Sequence, residues 1–248
     1  MANPDTRTIA VTGASRGIGA GIAIELARRG FRVACLTRNG RAPETEGAAR
    51  YHDRFVSHIC DVDDEKSVRE ALKAITRNGA LHGLVNNAGI HLDGASHELE
   101  TDTYERVMRT NATSVFTVSR EAYPYLVVAG GATIVNIGSF FEKIGVKRNL
   151  AYCASKAAVG AMTRCLAVEW ASKDIRVLDV APGYVVTDLN RDVLESGPLR
   201  EYIEKRIPGR QPGTVGEIAR FVAAIFSEDI PFLTGETIYI DGGQGIAN

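Results

Sequence analysis

The sequence predicts an α/β fold, with a doubly wound parallel sheet of about seven strands and helices on both faces. Short apolar segments alternate with segments of helical periodicity from Thr8 onwards, which is the pattern of strands joined by helices. Several of these short segments are apolar throughout, as strands covered on both faces are. The 248 residues are 45% hydrophobic and include no linker or low-complexity tract, so we treat residues 1–248 as a single domain.

Each predicted element is delimited by local signals. Thr8–Val11 is a short apolar strand, Ile22–Ala27 has helical spacing, and Gly30 ends that helix. Residues 40–53 predict a loop with a short helix, and Pro124 is expected to bend or end a long helix. The other predicted strands are Arg32–Thr37, Arg54–Ile59, Gly83–Asn86, Thr133–Ile137, Arg176–Ala181 and Thr237–Ile240. The other predicted helices are Asp64–Thr76, Asp102–Leu126, a segment around Tyr152, and one capped by Thr214 that runs through Phe226.

Composition excludes several classes of protein. Lys plus Arg number 29 against 30 for Asp plus Glu, so no basic excess predicts binding to nucleic acid or to a membrane surface. The apolar runs are too short to span a bilayer, and the stretch 1–5 lacks the regions of a signal peptide. We expect a cytoplasmic protein with no metal site, because the histidines are scattered and the cysteines lack metal-ligand spacing. The expected reduced thiols are Cys35, Cys60, Cys153 and Cys165.

A glycine-rich turn, Thr12–Gly19, joins the first strand to the first helix. Strand, glycine turn and helix form the context in which a dinucleotide fingerprint has meaning. The glycines permit a tight turn, and the helix N-terminus offers free N–H groups to a pyrophosphate. The alternative is a glycine-rich turn that binds no ligand.

Tyr152 and Lys156 stand four residues apart, on one face of a predicted helix. The ammonium of Lys156 is expected to lower the pKa of the Tyr152 phenol from about 10 towards 7, a change of roughly 4 kcal/mol. A tyrosine tuned in this way gives or takes a proton at a carbonyl or alcohol oxygen. The alternative is that the pair only marks the polar edge of an amphipathic helix.

Several motifs together resemble the classical short-chain dehydrogenase/reductase family. They are the Gly-x-x-x-Gly-x-Gly spacing of Gly13–Gly19, the Asn-Asn-Ala-Gly of Asn86–Gly89, the Tyr152–Lys156 pair and the Asp-Gly-Gly of Asp241–Gly243. The resemblance covers Thr8 to Gly243 and implies a Rossmann-like fold. The overall pattern is most similar to bacterial 3-oxoacyl-(acyl-carrier-protein) reductases, a group that motifs alone do not separate from sugar, polyol and hydroxy-acid dehydrogenases.

The resemblance implies a catalytic set of Asn111, Ser139, Tyr152 and Lys156. In reduction, a hydride passes from the nicotinamide to a carbonyl carbon, Tyr152 donates the proton, and Ser139 orients the oxygen. Lys156 lowers the pKa of Tyr152 and binds the nicotinamide ribose, while Asn111 holds a water that resupplies protons. Taken singly, Ser139 reads as a strand-end cap and Asn111 as a helix residue facing water.

The resemblance also implies a set of cofactor contacts. They are Gly13, Ser15, Arg16, Gly17, Ile18, Gly19, Arg38, Asp61, Val62, Asn87, Ala88, Gly89, Tyr152, Lys156, Pro182, Gly183, Val185 and Thr187. Alternatives for these residues are a helix cap or a turn residue at Asp61 and an ordinary Pro-Gly turn at Pro182–Gly183.

The second predicted strand ends at Thr37, and Arg38 and Asn39 follow it. None of these three residues is a carboxylate, although NAD-binding folds place one there. A guanidinium at Arg38, with Arg16 nearby, suits a 2′-phosphate, so NADP(H) is preferred and NAD(H) stays possible. The alternative is two solvated surface arginines.

The substrate is a small carbonyl or alcohol compound whose identity the motifs leave open. A helical lid is expected near residues 188–211. The pocket residues considered are His91, Phe140, Phe141, Lys147, Arg148 and Asn149. Phe140 and Phe141 either contact an apolar substrate or fill the core, and Lys147 and Arg148 either meet an anion or form a solvated loop. Other hypotheses are a catalytically silent cofactor sensor and an oligomeric scaffold without cofactor. The resemblance implies a homotetramer or homodimer.

Overall fold

Seven strands form one parallel sheet in the computed structural model, which describes residues 7–77, 79–188 and 190–247. In chain order its strands are β1 (Thr8–Thr12), β2 (Arg32–Thr37), β3 (Phe55–Ile59), β4 (Leu81–Asn86), β5 (Ala132–Ile137), β6 (Ile175–Pro182) and β9 (Thr237–Ile240). Their spatial order is β3-β2-β1-β4-β5-β6-β9, which confirms the predicted doubly wound sheet. A separate pair, β7 (Val185–Val186) and β8 (Gly213–Thr214), was absent from the sequence prediction.

The helices connect the strands and cover both faces of the sheet. They are α1 (Gly17–Arg28), α2 (Glu46–Ala49), α3 (Glu65–Thr76), α4 (Thr101–Met108), α5 (Ser114–Ala129), α6 (Leu150–Trp170), α7 (Arg191–Glu195), α8 (Gly197–Arg206) and α9 (Val215–Ser227). Thr214 caps α9 as predicted, because its hydroxyl accepts from the amide of Glu217 and the Glu217 carboxylate accepts from the amide of Thr214.

Two hydrophobic layers hold the sheet between its helices. Successive strand residues point to opposite faces, so Ile9 packs with α1 and α9 whereas Ala10 packs with α3 and α5. Leu26 and Leu72, one in each layer, are fully buried, and burial of a leucine side chain is worth about 1.5–3 kcal/mol. The carboxyl ends of the strands are thereby fixed at one edge of the molecule.

The prediction of one continuous α-helix from Asp102 to Leu126 is wrong. A π-helical turn, Arg109–Thr113, separates α4 from α5, and helical spacing alone does not reveal such a turn. Pro124 does not end the helix, since α5 continues to Ala129. Gly130, whose φ is 63°, ends it instead.

The predicted lid segment is helical, and α7 and α8 lie within it. Gly197 and Pro198 begin α8, because proline is well suited to the first turn of a helix. Leu194, Ile203 and Ile207 form a small buried cluster under these helices. Leu189 and the stretch 1–5 lie outside the described residues.

The cysteines are reduced, and the described residues include neither a membrane-spanning helix nor a cluster of metal-ligating side chains. The four cysteines are free, with Cys35 and Cys60 buried. Within the described ranges, no helix has the length and apolar character to cross a membrane. No group of three or more metal-ligating side chains occurs among those same residues.

Candidate active site

The glycine turn lies at the carboxyl edge of the sheet, where β1 and β4 end side by side. Gly13 and Gly17 have φ values of 65° and 56°, which are left-handed conformations that favour glycine. Arg16 precedes the first turn of α1 without making a side-chain cap, so the first N–H groups of the helix are available to an anion.

Thr12, which the sequence analysis did not single out, joins this turn to the loop after β4. Its hydroxyl accepts from the amides of Asn87 and Ala88, at 2.9 and 3.0 Å. The Asn87 side chain donates back to the carbonyl of Thr12 at 3.0 Å. Its position directly before Gly13 was the only available signal, because the partner loop is more than 70 residues away in sequence.

A cleft of about 790 Å³ runs along these loops and contains most of the predicted cofactor residues. Those that line it are Gly13, Ser15, Arg16, Gly17, Ile18, Arg38, Asp61, Val62, Asn87, Ala88, Gly89 and Thr187. Gly19, Tyr152, Lys156, Pro182, Gly183 and Val185 are not among the lining residues. Gly19 instead serves close packing, since a Cβ there would lie 2.3 Å from the carbonyl oxygen of Gly13.

One end of the cleft is rich in arginine. Arg16, Arg38 and Arg41 all line it, and Arg41 was not predicted. The Thr37 hydroxyl accepts from the amide of Arg41 at 2.8 Å, so Thr37, at the end of β2, shapes the turn that carries Arg38 and Arg41. Arg41 Nε lies 3.9 Å from Glu44 Oε1, whereas Arg16 and Arg38 have no ion-pair partner within the described residues.

Asp61 lines the cleft, and the N-cap of α3 is a different residue, Asp64. The Asp64 side chain accepts from the amide of Lys66 at 3.0 Å and is the N-cap of α3. Asp61 instead accepts from the amide of Asp63 through Oδ1. Asp61 is therefore not the cap of α3, and it is a turn residue before that helix.

Ser139, Tyr152 and Lys156 come together beside β5. The Ser139 hydroxyl accepts from the amide of Phe141 at 3.2 Å and lies close enough to the phenol of Tyr152 to lower its pKa. Lys156 Nζ donates to the carbonyl of Ile137 at 2.6 Å and lies 5.7 Å from the centroid of the Tyr152 ring. This group has the composition of a proton-transfer site, with a hydroxyl that orients the phenol.

The predicted lowering of the Tyr152 pKa is wrong for this structure. Burial raises the pKa of Tyr152 to about 12, and the hydrogen bond from Ser139 opposes that rise only in part. The Lys156 ammonium faces the ring and is hydrogen-bonded to Ile137. Burial also lowers the pKa of Lys156, while the charges of Asp179 and Glu142 act in the opposite direction.

Asn111 lies in the π-helical turn and is buried. Its Oδ1 accepts from the amide of Ile90 at 2.8 Å, and its Nδ2 donates to the carbonyl of Ile90 and to the hydroxyl of Ser155. Asn111 therefore connects the loop after β4 to the helix of Tyr152, one turn from the reactive group. Its water-binding role stays a prediction.

Aromatic side chains enclose Tyr152. His91 lies 4.8 Å and Phe141 5.8 Å from it, between ring centroids, and the His91 ring hydrogen-bonds Asn149. Phe141 also contacts Tyr184 edge-on at 6.1 Å. These residues form the wall of the reactive centre.

The remaining pocket residues contribute less to the centre. Phe140 is buried and packs on Tyr184, so it fills the core. Arg148 pairs with Asp93 at 3.2 Å on the surface, and Lys147 is exposed, which favours the solvated-loop alternative.

The turn after β6 is organised by Asn190, a residue that the sequence analysis missed. Asn190 Oδ1 accepts from the amide and hydroxyl of Thr187, and its Nδ2 donates to the carbonyl of Val185 at 3.0 Å. Pro182 ends β6, and a Cβ on Gly183 would lie 2.7 Å from Asp241 Cα, so Gly183 permits close backbone approach. Thr187 thereby reaches the cleft.

Comparisons with known proteins extend the likeness over nearly the whole chain. The family model described as enoyl-(acyl carrier protein) reductase matches residues 13–244. A glucose 1-dehydrogenase from Gluconobacter oxydans is 36% identical over 249 residues, covering 96% of this chain and 91% of that protein. A 3-oxoacyl-(acyl-carrier-protein) reductase from Staphylococcus aureus is 34% identical, covering 96% of this chain and 98% of that protein. The crystal structure of a gluconate 5-dehydrogenase from Burkholderia cenocepacia, in complex with NADP and tartrate, has a TM-score of 0.87 at 31% identity, covering 98% of this chain and 97% of that chain.

Proposed function

The chain belongs to the short-chain dehydrogenase/reductase family, and from that membership we propose that it is an NADP(H)-dependent carbonyl reductase or alcohol dehydrogenase. It is an oxidoreductase that acts on CH–OH or carbonyl groups with a nicotinamide cofactor. The observation that carries the proposal is the grouping of Ser139, the half-buried Tyr152 and Lys156 beside β5, where Lys156 Nζ lies 5.7 Å from the centroid of the Tyr152 ring.

The proposed mechanism assigns one task to each side chain. When bound, the cofactor supplies or accepts the hydride at C4 of its nicotinamide. Ser139 donates to the substrate oxygen and holds it against Tyr152, whose phenol gives that oxygen its proton during reduction. Lys156 provides positive charge beside the phenol and binds the nicotinamide ribose. Asn111 holds the loop and the helix in register and binds the water that resupplies protons.

The NADP(H) preference is supported by charge and by the absence of a carboxylate at Thr37. Arg16 and Arg38 face the cleft without ion-pair partners within the described ranges. A 2′-phosphate adds negative charge that guanidinium groups bind in a fork. The cleft, at about 790 Å³, is within the size range of small-molecule and cofactor sites.

Two classes of substrate are candidates for this site. A short 3-oxoacyl thioester is the first, and the apolar faces of Phe141 and Tyr184 beside Tyr152 suit an acyl chain. Sugars, polyols and hydroxy acids are the second, supported by the polar pair of His91 and Asn149 at the same wall and by relatives named as glucose and gluconate dehydrogenases.

The test measures NADPH oxidation with a short 3-oxoacyl thioester and, in parallel, NADP reduction with a sugar and polyol panel. Turnover in one arm identifies the substrate class. Saturable NADPH binding with no turnover in either arm would contradict the enzyme proposal and favour a cofactor sensor. No binding of either cofactor would favour a scaffold.

We also propose a cytoplasmic homotetramer or homodimer. Phe116 and Val128 of α5 and Val168 of α6 expose large apolar surfaces, and Phe232 is 100% exposed. Apolar side chains left this exposed on α5 and α6 suit a contact with a second subunit. Light scattering after gel filtration tests the assembly, and a monomeric mass would contradict it.

A further inference from the structure

The carboxyl groups of Asp179 and Glu142 lie behind the reactive centre and have no role in the proposed mechanism. Asp179, in β6, is 0% exposed, and a Cβ on Gly138 would fall 2.5 Å from its Oδ1. Glu142 follows Ser139 closely, and a Cβ on Gly160 of α6 would lie 3.1 Å from its Oε1. The two glycines, one beside Ser139 and one a turn beyond Lys156, leave the space that the carboxyl groups occupy.

The hydrogen-bond partners of these carboxyl groups leave one oxygen of each unaccounted for. Asp179 Oδ2 accepts from the Thr237 hydroxyl at 3.3 Å, and Glu142 Oε1 accepts from the Tyr239 phenol at 3.0 Å. Asp179 Oδ1 and Glu142 Oε2 are buried, and neither has a donor in the described part of the chain. Thr237 and Tyr239 are two residues apart in β9 and point to the same face, so they hold the two carboxyl groups next to each other. A carboxylate has no donor, so a proton retained between the two groups would satisfy both unpartnered oxygens.

We propose that Glu142 and Asp179 share one proton, and that the single negative charge left on the pair keeps Lys156 charged and in position beside Tyr152. The inference rests on the proposed function, since it assigns Glu142 and Asp179 as positioning residues that act through Lys156. Two like charges so close are not both stable in a buried site, which is why one proton is retained.

The charges around the pair agree with this assignment. Burial raises the pKa of Asp179, with Glu142 adding to the rise and Lys156 opposing it. Lys156 is the buried cation that faces the pair from α6; its exposed fraction is 5%. On the β9 side, the Tyr239 phenol faces Glu142, and Lys143 Nζ lies 4.9 Å from the centroid of the Tyr239 ring.

The charge of Arg164 acts on this side too, since it lowers the pKa of the Tyr239 phenol. A doubly ionised pair would place two negative charges against Lys156, the one Lys or Arg that is buried among the described residues. A singly ionised pair balances it.

Amide substitutions distinguish the effect of the shared proton from the effect of the negative charge. Glu142→Gln and Asp179→Asn each replace the proton with an N–H donor and leave one carboxylate, so each retains a single negative charge. The double variant, Glu142→Gln with Asp179→Asn, retains the shape but has no charge. The readout is the alkaline midpoint of the kcat/KM profile for NADPH-dependent carbonyl reduction.

Each single variant should keep the wild-type midpoint within about 0.3 pH unit. The double variant should move it down by about one pH unit or more, because Lys156 then loses its proton more readily. An unchanged midpoint in the double variant would overturn the proposal, since a merely structural pair tolerates isosteric amides. A single variant that shifts more than half as far as the double would also overturn it, because the pair would then carry two charges.

Two measurements that need no turnover separate this inference from the proposed function. The infrared difference between wild type and Asp179→Asn should show the carbonyl stretch of one protonated carboxylic acid at neutral pH. The Nζ resonance of Lys156 in 15N-lysine-labelled protein should titrate at lower pH in the double variant. If both signals are found but no carbonyl substrate is turned over, the proposed function is contradicted and the shared proton is supported. If either signal is absent, the shared proton is contradicted.

Discussion

Replacement of Arg38 by alanine should weaken the binding of NADPH and leave the binding of NADH unchanged. Arg38 is exposed at the edge of the cleft, directly after β2, and it has no ion-pair partner in the described ranges. Its guanidinium is therefore free to bind a phosphate in a fork. NADH has no 2′-phosphate, so it makes no use of this contact.

The magnitude follows from the exposure of the contact. Hydrogen bonds to charged groups contribute about 1.5–3 kcal/mol. Arg38 is solvated and Arg16 and Arg41 line the same end of the cleft, so the lower value applies. A loss of about 1.5 kcal/mol corresponds to a roughly tenfold higher Kd for NADPH. The Kd for NADH should change by less than about twofold.

Fluorescence titration of both cofactors measures these constants without any knowledge of the substrate. Arg32→Ala is a matched control, because Arg32 is an exposed arginine at the opposite end of the same strand. Arg38→Lys should give an intermediate loss, since it keeps the charge and loses the fork. Added salt should weaken wild-type binding of NADPH more than of NADH. Equal losses for both cofactors in Arg38→Ala, or no loss for either, would refute the assignment.

Three other regions give predictions. Tyr152→Phe should bind NADPH normally and lose about 100- to 10,000-fold in kcat, because the proton donor is gone; substantial turnover would contradict its role. Between about pH 6 and pH 7, alcohol oxidation should rise roughly tenfold per pH unit while carbonyl reduction stays flat, because burial raises the pKa of Tyr152 to about 12 and the phenolate is scarce. Thr12→Val should lower the free energy of unfolding in urea by about 1–3 kcal/mol, because two partly buried amides lose their acceptor; a change below about 0.5 kcal/mol would argue against that link. At pH 8 an alkylating reagent should label Cys165 in the native protein and label Cys35 and Cys60 only after unfolding, because burial raises the pKa of both to about 12.

The parts of the site that the sequence predicted are those whose signal is local. Gly13 and Gly17 follow directly on a strand, and their spacing reflects the left-handed conformations that the turn requires. Tyr152 and Lys156 are one helical turn apart, so a single helix is enough to place them together. Thr214 caps α9 through a neighbour three residues away. In each case the physical cause lies within a few residues.

The parts that were missed depend on distant segments. Thr12 was not singled out because its partners lie on another strand, and Asn190 because its role appears only when the turn after β6 is closed. Asp179 and Glu142 are ordinary acids in the sequence, and only the fold brings their side chains together behind Lys156. The family resemblance contributed Asn111 and Ser139, which local pattern alone reads as a solvated residue and a cap.

Burial of the Tyr152 phenol, which the sequence does not reveal, affects how the rate in each direction depends on pH. Sequence spacing gives the distance along the helix to Lys156 but not the burial of the phenol, and burial is the larger effect here. At pH 7 a phenol with a pKa of about 12 needs roughly 7 kcal/mol to become phenolate. Alcohol oxidation requires that phenolate as its base, whereas carbonyl reduction starts from the protonated phenol. Reduction also ends with proton transfer to an alkoxide, a stronger base than any phenolate, so a raised pKa does not hinder it. At neutral pH the proton that carbonyl reduction needs is therefore already on the phenol, and a closer approach of the Lys156 ammonium would lower the pKa of Tyr152 and supply more phenolate for alcohol oxidation.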